Sequence, residues 1–222
     1  EHREPRSLRI LRAIQPPRRE GAKELERKVV VGLDLAGSEK RDTGYCGYDG
    51  LKADIRTLYG DDEILAAVFE AKPELVAMDA PLSLPRGRRL GTRKNTIIGS
   101  RKIHFRECDL ELRRLKIPFF PITLGPMRML TVRGLRLKRA LTRKGIPCFE
   151  SYPGGVQDLW GLPRNKDMGA LLRGLRLKGL RGLKASHSKD ELDAVTLALV
   201  AWDHLHGRAR VIGDPREGVM IL

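Results

Sequence analysis

Lys-Val-Val-Val-Gly-Leu-Asp-Leu-Ala-Gly (28–37) is the stretch on which the fold turns. A short apolar run bounded by a glycine turn reads as a buried strand. This one ends on a carboxylate, Asp34, which is costly to bury unless something positive meets it. The arrangement recurs in Leu-Val-Ala-Met-Asp-Ala-Pro (75–81), ending on Asp79, and in Ile-Pro-Cys-Phe-Glu-Ser-Tyr-Pro-Gly-Gly (146–155), ending on Glu150. Asp-Glu-Leu-Asp-Ala (190–194) opens an apolar helix and sets Asp190 and Asp193 three apart on one face. Carboxylates gathered at one sheet edge make a hard-oxygen site suited to Mg²⁺ or Mn²⁺. Phosphodiester cleavage by such ions needs no protein nucleophile, and Ser151 and Cys148 have no base at motif spacing.

Outward from residue 28, the pattern predicts a second strand at 45–48, a turn at Asp49-Gly50 and a third strand at 51–58. A helix over 61–72 carries Ile64, Leu65, Val68 and Phe69 on one face, and Pro73 closes it before strand four. Residues 82–102 show no period, and so long an irregular loop is commonly functional. Helices follow over 103–116 and 127–144, the second stopped by Gly145, then strand five to Glu150. Helices over 154–160, 166–178 and 188–206 and short strands near 210–213 and 218–222 complete the chain. This is an α/β domain with a mixed sheet: three sequential antiparallel strands, then two strands joined by helices. Strands one, four and five must be neighbours to bring Asp34, Asp79 and Glu150 together. Residues 1–28, charged and bearing Pro16-Pro17, read as a mobile arm or an over-long start, and 29–222 as one domain.

The net charge of +15 points to a polyanionic partner, with nucleic acid first among them. It is concentrated: residues 86–145 hold 18 Lys/Arg against 3 Asp/Glu, whereas 29–85 hold 5 against 11. Arg86, Arg88, Arg89, Arg93, Lys94, Arg101, Lys102, Arg106 and Arg133 are the candidate phosphate contacts, with a solvated basic surface as the plain alternative. Cys46, Cys108 and Cys148 form neither a disulfide framework nor a zinc motif, which suits a reducing cytoplasm. No apolar run is long enough to span a membrane. Two Asn and two Gln in 222 residues lean towards a thermophile. Nothing in the sequence sets the oligomeric state, and a dimer is compatible with it. Plainer roles stand beside the site readings: Asp34 as a turn cap, Asp79 in an Asx turn, Glu150 as the partner of an Arg, and Asp190 as a helix-terminal acid. His187 is balanced between helix cap and acid/base. His104 and Cys108, four apart on the 103–116 helix, form half a metal site with no second half.

Taken in order, these motifs resemble the domain of unknown function family 429, a family of inferred nucleases within the RNase H-like superfamily. The resemblance rests on Gly-Leu-Asp-Leu-Ala-Gly-Ser-Glu-Lys-Arg-Asp-Thr-Gly (32–44), Met-Asp-Ala-Pro-Leu-Ser-Leu-Pro (78–85) and Arg-x-Cys-Asp (106–109). It continues through Arg133-Gly134, Glu-Ser-Tyr-Pro-Gly (150–154), His187 with Glu-Leu-Asp-Ala (191–194), and Gly-Asp…Glu-Gly (213–218). It implies the ribonuclease H-like sheet with active-site carboxylates at Asp34, Asp79 and Asp193. Asp190 adds an Asp-x-x-Asp-Ala pattern similar to Holliday-junction resolvases. The expected activity is a metal-dependent nuclease acting on structured DNA or RNA. Two rivals stay open: a phosphate-handling enzyme of the sugar-kinase and actin-like group, for which Asp-Leu-Ala-Gly-Ser (34–38) would be a phosphate loop, and a non-catalytic nucleic-acid-binding module.

Overall fold

The computed structural model describes residues 28–93, 96–100 and 102–222. The expected arm, all but its last residue, lies outside the described residues, as do Lys94 and Arg101.

Val30–Asp34 (β1), Thr43–Tyr48 (β2) and Ala53–Leu58 (β3) form an antiparallel meander, with Val30 opposite Tyr48 and Asp34 opposite Gly44. The β2–β3 turn is tied by the Asp49 carboxylate, which accepts the N–H groups of Leu51 at 2.9 Å and Lys52 at 2.7 Å. Asp61–Ala71 (α1) follows, with Asp61, Asp62 and Glu63 in its first turn, where the helix dipole favours negative charge. Leu75–Met78 (β4) then pairs parallel to β1, Leu33 beside Met78. Cys148–Ser151 (β7) pairs parallel to β4, Met78 beside Glu150. Parallel neighbours end at the same edge, so this pairing delivers Asp34, Asp79 and Glu150 together.

Gly218–Ile221 (β9) adds in parallel to β7, and Val211–Asp214 (β8) adds antiparallel to β9. The seven-stranded order is β3-β2-β1-β4-β7-β9-β8. This is the mixed sheet the sequence leads one to expect, three sequential antiparallel strands and then β4 and β7 added in parallel. Between β4 and β7 lie Glu107–Arg114 (α2) and Gly125–Arg143 (α3); Pro153–Leu159 (α4), Met168–Leu177 (α5) and Lys189–Leu205 (α6) follow β7.

Alternate side chains of β1 and β4 feed two separate cores, as the period of two demands. Val30, Leu75 and Ala77 pack with Leu192, Val195 and Leu199 of α6, while Val31, Leu33, Val76 and Met78 pack with Ile64 and Val68 of α1 and Leu137 and Leu141 of α3. Helix α6 lies unusually close to the sheet. A Cβ on Gly32 would stand 2.1 Å from the Ala194 carbonyl oxygen, and one on Gly44 would stand 1.9 Å from that of Asp190. Only glycine lets the two backbones approach so far. The start of α6 is fixed by a capping box: Ser188 Oγ accepts the Glu191 N–H at 3.1 Å and Glu191 Oε2 accepts the Ser188 N–H at 2.9 Å. His187 Nδ1 joins the same carboxylate at 3.2 Å.

Two elements differ from expectation. The 82–102 segment is not wholly irregular: Arg88–Leu90 (β5) and Ile97–Gly99 (β6) pair as a small separate hairpin. The helix expected from residue 103 starts at Glu107, because Arg106 is extended and its N–H is taken by Asp109 Oδ2 at 2.8 Å. His104 therefore precedes the helix, and its supposed pairing with Cys108 on one helix does not arise.

Candidate active site

Asp34 ends β1, and Asp79 stands one residue beyond β4, its N–H donated to the Leu33 carbonyl at 2.9 Å. Their carboxyls stand together at the sheet edge, close enough for each to influence the other's proton affinity. Asp79 is pushed up to about 7, first by burial, then by the charge of Asp193 and, less, of Glu150. Asp34 is held well above the usual carboxylate range by burial, then by Asp79 and Asp193, against the opposing pull of Lys189. Asp190, half-buried at the head of α6, is raised chiefly by burial and by Asp193.

Asp193 is buried one turn deeper in α6, and both its oxygens are occupied. Oδ1 accepts from Gln157 Nε2 at 2.7 Å, and Oδ2 faces Lys189 Nζ at 2.8 Å. The same ammonium is 4.0 Å from Asp190, so one lysine serves the acidic group. A cavity of about 260 Å³ opens here, lined by Asp34, Arg41, Asp42, Lys189 and Asp190, with Met127 and Leu130 of α3 on its apolar side. Among the described residues no three Asp, Glu, His or Cys side chains close on one point as a finished metal cage. Asp34 and Asp79 stand side by side at the strand ends, while Asp193 is turned to Lys189 and Gln157.

Glu150 reaches the same edge but points into a buried network. Its Oε2 accepts from Arg106 Nη1 at 2.5 Å and from the Leu82 N–H at 2.8 Å, and its Oε1 from Arg106 Nη2 at 2.8 Å. Arg106 also bonds Asp109 at 2.7 Å, and all three side chains are almost fully buried. The Arg-x-Cys-Asp stretch thus serves as the counter-charge for Glu150, and Arg106 has no face left for a phosphate. Arg133 is corrected for the same reason. Buried on α3, it donates to Asp61 Oδ1 at 2.7 Å and to the carbonyls of Ala36, Ser38 and Tyr59 at 2.8, 3.0 and 2.6 Å. It binds the loop that follows β1.

The other described basic candidates are at the surface. Arg89, Arg93 and Lys102 are exposed. Arg88 donates to the Ile103 carbonyl at 2.6 Å, and Arg86 pairs with Asp214 while remaining largely exposed. Glu217, in the terminal Gly-Asp…Glu-Gly stretch, accepts the N–H groups of Arg86 at 3.0 Å and Glu107 at 2.7 Å, tying loop and α2 to the C-terminal hairpin. A groove of about 760 Å³ runs between the 82–90 segment and α3, with Arg88, Arg89, Lys138, Arg139 and Arg143 over a leucine floor. It starts close to the acids: Gly134 of α3 packs on Ala80 and Leu82, just past Asp79.

Lys189 and Gln157 were not foreseen from the sequence. Lys189 had a signal, its spacing of four from Asp193. Gln157, on α4, had none.

The family described as "Protein of unknown function (DUF429)" matches residues 32–218. No curated relative matches the sequence. Two solved structures of Thermus thermophilus RuvC are similar at 15% identity. One is in complex with a Holliday junction substrate, with a TM-score of 0.49 over 84% of this chain and 98% of that one. The other has a TM-score of 0.45 over 83% and 98%. Among the described residues no helix is long and apolar enough to cross a membrane.

Proposed function

The chain belongs to the DUF429 family, whose description names no reaction, and we propose that it is a divalent-metal-dependent nuclease acting on structured DNA or RNA. The observation that carries this reading is the meeting of Asp34 and Asp79 at the shared end of two parallel strands, with Asp190 and Asp193 facing them from α6. Four carboxylates and one lysine leave an excess of negative charge, and the donors are all oxygen, which fits Mg²⁺ or Mn²⁺. Asp34, Asp79 and Asp193 would hold the ion, with Asp190 at the rim. When bound, it would supply an activated water and offset charge on the leaving oxygen.

The chain's own residues have distinct parts. Asp34 and Asp79, whose proton affinity is raised, would have to be ionised before they could hold a cation. Lys189 balances Asp193 until then, and its exposed position on the first turn of α6 lets it move aside. Glu150 serves as an anchor: Arg106 and the Leu82 N–H fix it, and it fixes the segment that follows Asp79. The groove along α3 would hold the phosphate backbone without reading sequence. Three buried thiols, with no disulfide among the described residues, suit a cytoplasmic setting.

The direct test is cleavage of labelled four-way junctions, flaps and RNA–DNA hybrids with Mg²⁺ or Mn²⁺. Wild type should cut at least one of them, and Asp34→Asn and Asp193→Asn should lose cleavage by 100-fold or more while melting as folded proteins, an order of magnitude typical for removing a group that holds the charge-stabilising partner. A wild type that binds these substrates yet cuts none would favour the binding-module reading.

A further inference from the structure

A second cavity, of about 200 Å³, adjoins the acidic one, and Met127 and Leu130 line both. Its other walls include Asp79, Phe119, Phe120 and Tyr152. Two of the rings are held in place. Phe119 packs edge-on against Phe105 at 6.0 Å, and the Tyr152 hydroxyl donates to the Pro118 carbonyl at 3.0 Å while accepting from Arg164 at 3.2 Å. Phe120 is different: this large apolar ring is 72% exposed at the cavity wall. Besides Asp79, the charged groups lining it are Arg106, Glu150 and Asp109, and the arginine is bonded to both of those carboxylates. The aromatic and aliphatic walls suit a flat, largely apolar occupant, which would lie next to whatever the carboxylates of Asp34 and Asp79 engage.

We infer that this cavity receives one unstacked nucleobase, from a nucleotide adjacent to the phosphate at the carboxylates, with Phe120 as its stacking surface and Tyr152 at its edge. The placement of that phosphate rests on the nuclease reading; the aromatic cavity itself does not. Stacking on aromatic side chains tolerates any base, since every base has a π-face. Extruding a base from a duplex costs energy, and less so where the base is mismatched or unpaired. The cavity thus selects strands with an unpaired nucleotide beside the bond to be cut, as at junctions, flaps and bulges. It does so without reading sequence.

The test uses the full chain in EDTA, so that binding is read without cleavage. The probes are a labelled single-stranded oligothymidylate and an abasic oligonucleotide of the same length. Wild type should prefer the base-bearing strand by roughly 5- to 100-fold, the range expected for one stacked base. Phe120→Ala should remove most of that preference and leave abasic binding and the melting temperature unchanged, because the ring is exposed. A 5-iodouracil strand should photo-crosslink to Phe119, Phe120 or Tyr152. Equal binding of both strands by wild type, or an unchanged preference in Phe120→Ala, overturns the inference. Cleavage without base preference would sink the base cavity and spare the nuclease reading; base preference without cleavage would do the reverse.

Discussion

Asp34 and Asp79 stand together in a partly buried, acidic setting, and stability should carry the mark of it. Both groups hold protons more tightly folded than unfolded, Asp79 up to about 7 against about 3.9 in an unfolded chain. The folded state then binds more protons between those values, so stability falls as pH rises from about 4 to about 7. We expect the metal-free protein to lose on the order of 4 kcal/mol across that window, read by urea melts at several pH values. Asp79→Asn should abolish most of the fall and be the more stable protein at pH 8 without metal; Mn²⁺ should then stabilise wild type and not the variant. Arg106 gives the opposite case. Arg106→Ala strands Glu150 and Asp109 without their counter-charge and should cost about 3–5 kcal/mol at neutral pH, as removal of one buried partner does. At this scale the acids were legible, because each closes an apolar run. The basic residues were not. A long side chain reaches far from its backbone, and nothing near Arg106 or Arg133 in sequence announces Glu150 or the Ala36 carbonyl as its partner.

Helix α6 and strand β1 set the distance between the acids, through the contact at Gly32. Gly32→Ala puts a methyl 2.1 Å from the Ala194 oxygen, against backbone that cannot yield as a side-chain end could. The variant should lose at least about 3 kcal/mol, at the upper end of overpacking costs, and where it still folds, its metal affinity should drop because Asp193 moves outward with the helix. Calorimetry with Mn²⁺ and a denaturant melt measure the two effects. The element order was legible because apolar runs, proline stops and the Asp49-Gly50 turn mark it directly. The three-residue strands of the β5–β6 hairpin are too short to show a period of two. The start of α2 was misplaced by four residues, since the cap there is an arginine backbone answered by Asp109 and not one of the usual capping side chains.

Over the whole molecule the charge of +15 divides into an acidic edge and a basic groove along α3. The excess in residues 86–145 was plain from the sequence; which cations stay at the surface depended on packing. Arg89→Ala and Arg139→Ala should each weaken binding to all sequences alike and lower the slope of log affinity against log salt by about one. Fluorescence anisotropy between 50 and 200 mM salt reads the change, and unaltered slopes would remove the groove from the phosphate path. The claim on which the rest depends is that the carboxylates at the shared end of β1 and β4 hold a divalent ion. Anomalous scattering from a crystal soaked in Mn²⁺ tests it most directly. A peak bonded to Asp34 and Asp79 is expected, with Lys189 displaced from Asp193. A crystal whose Mn²⁺ sits elsewhere, with the Lys189–Asp193 contact intact at saturating metal, would contradict the claim.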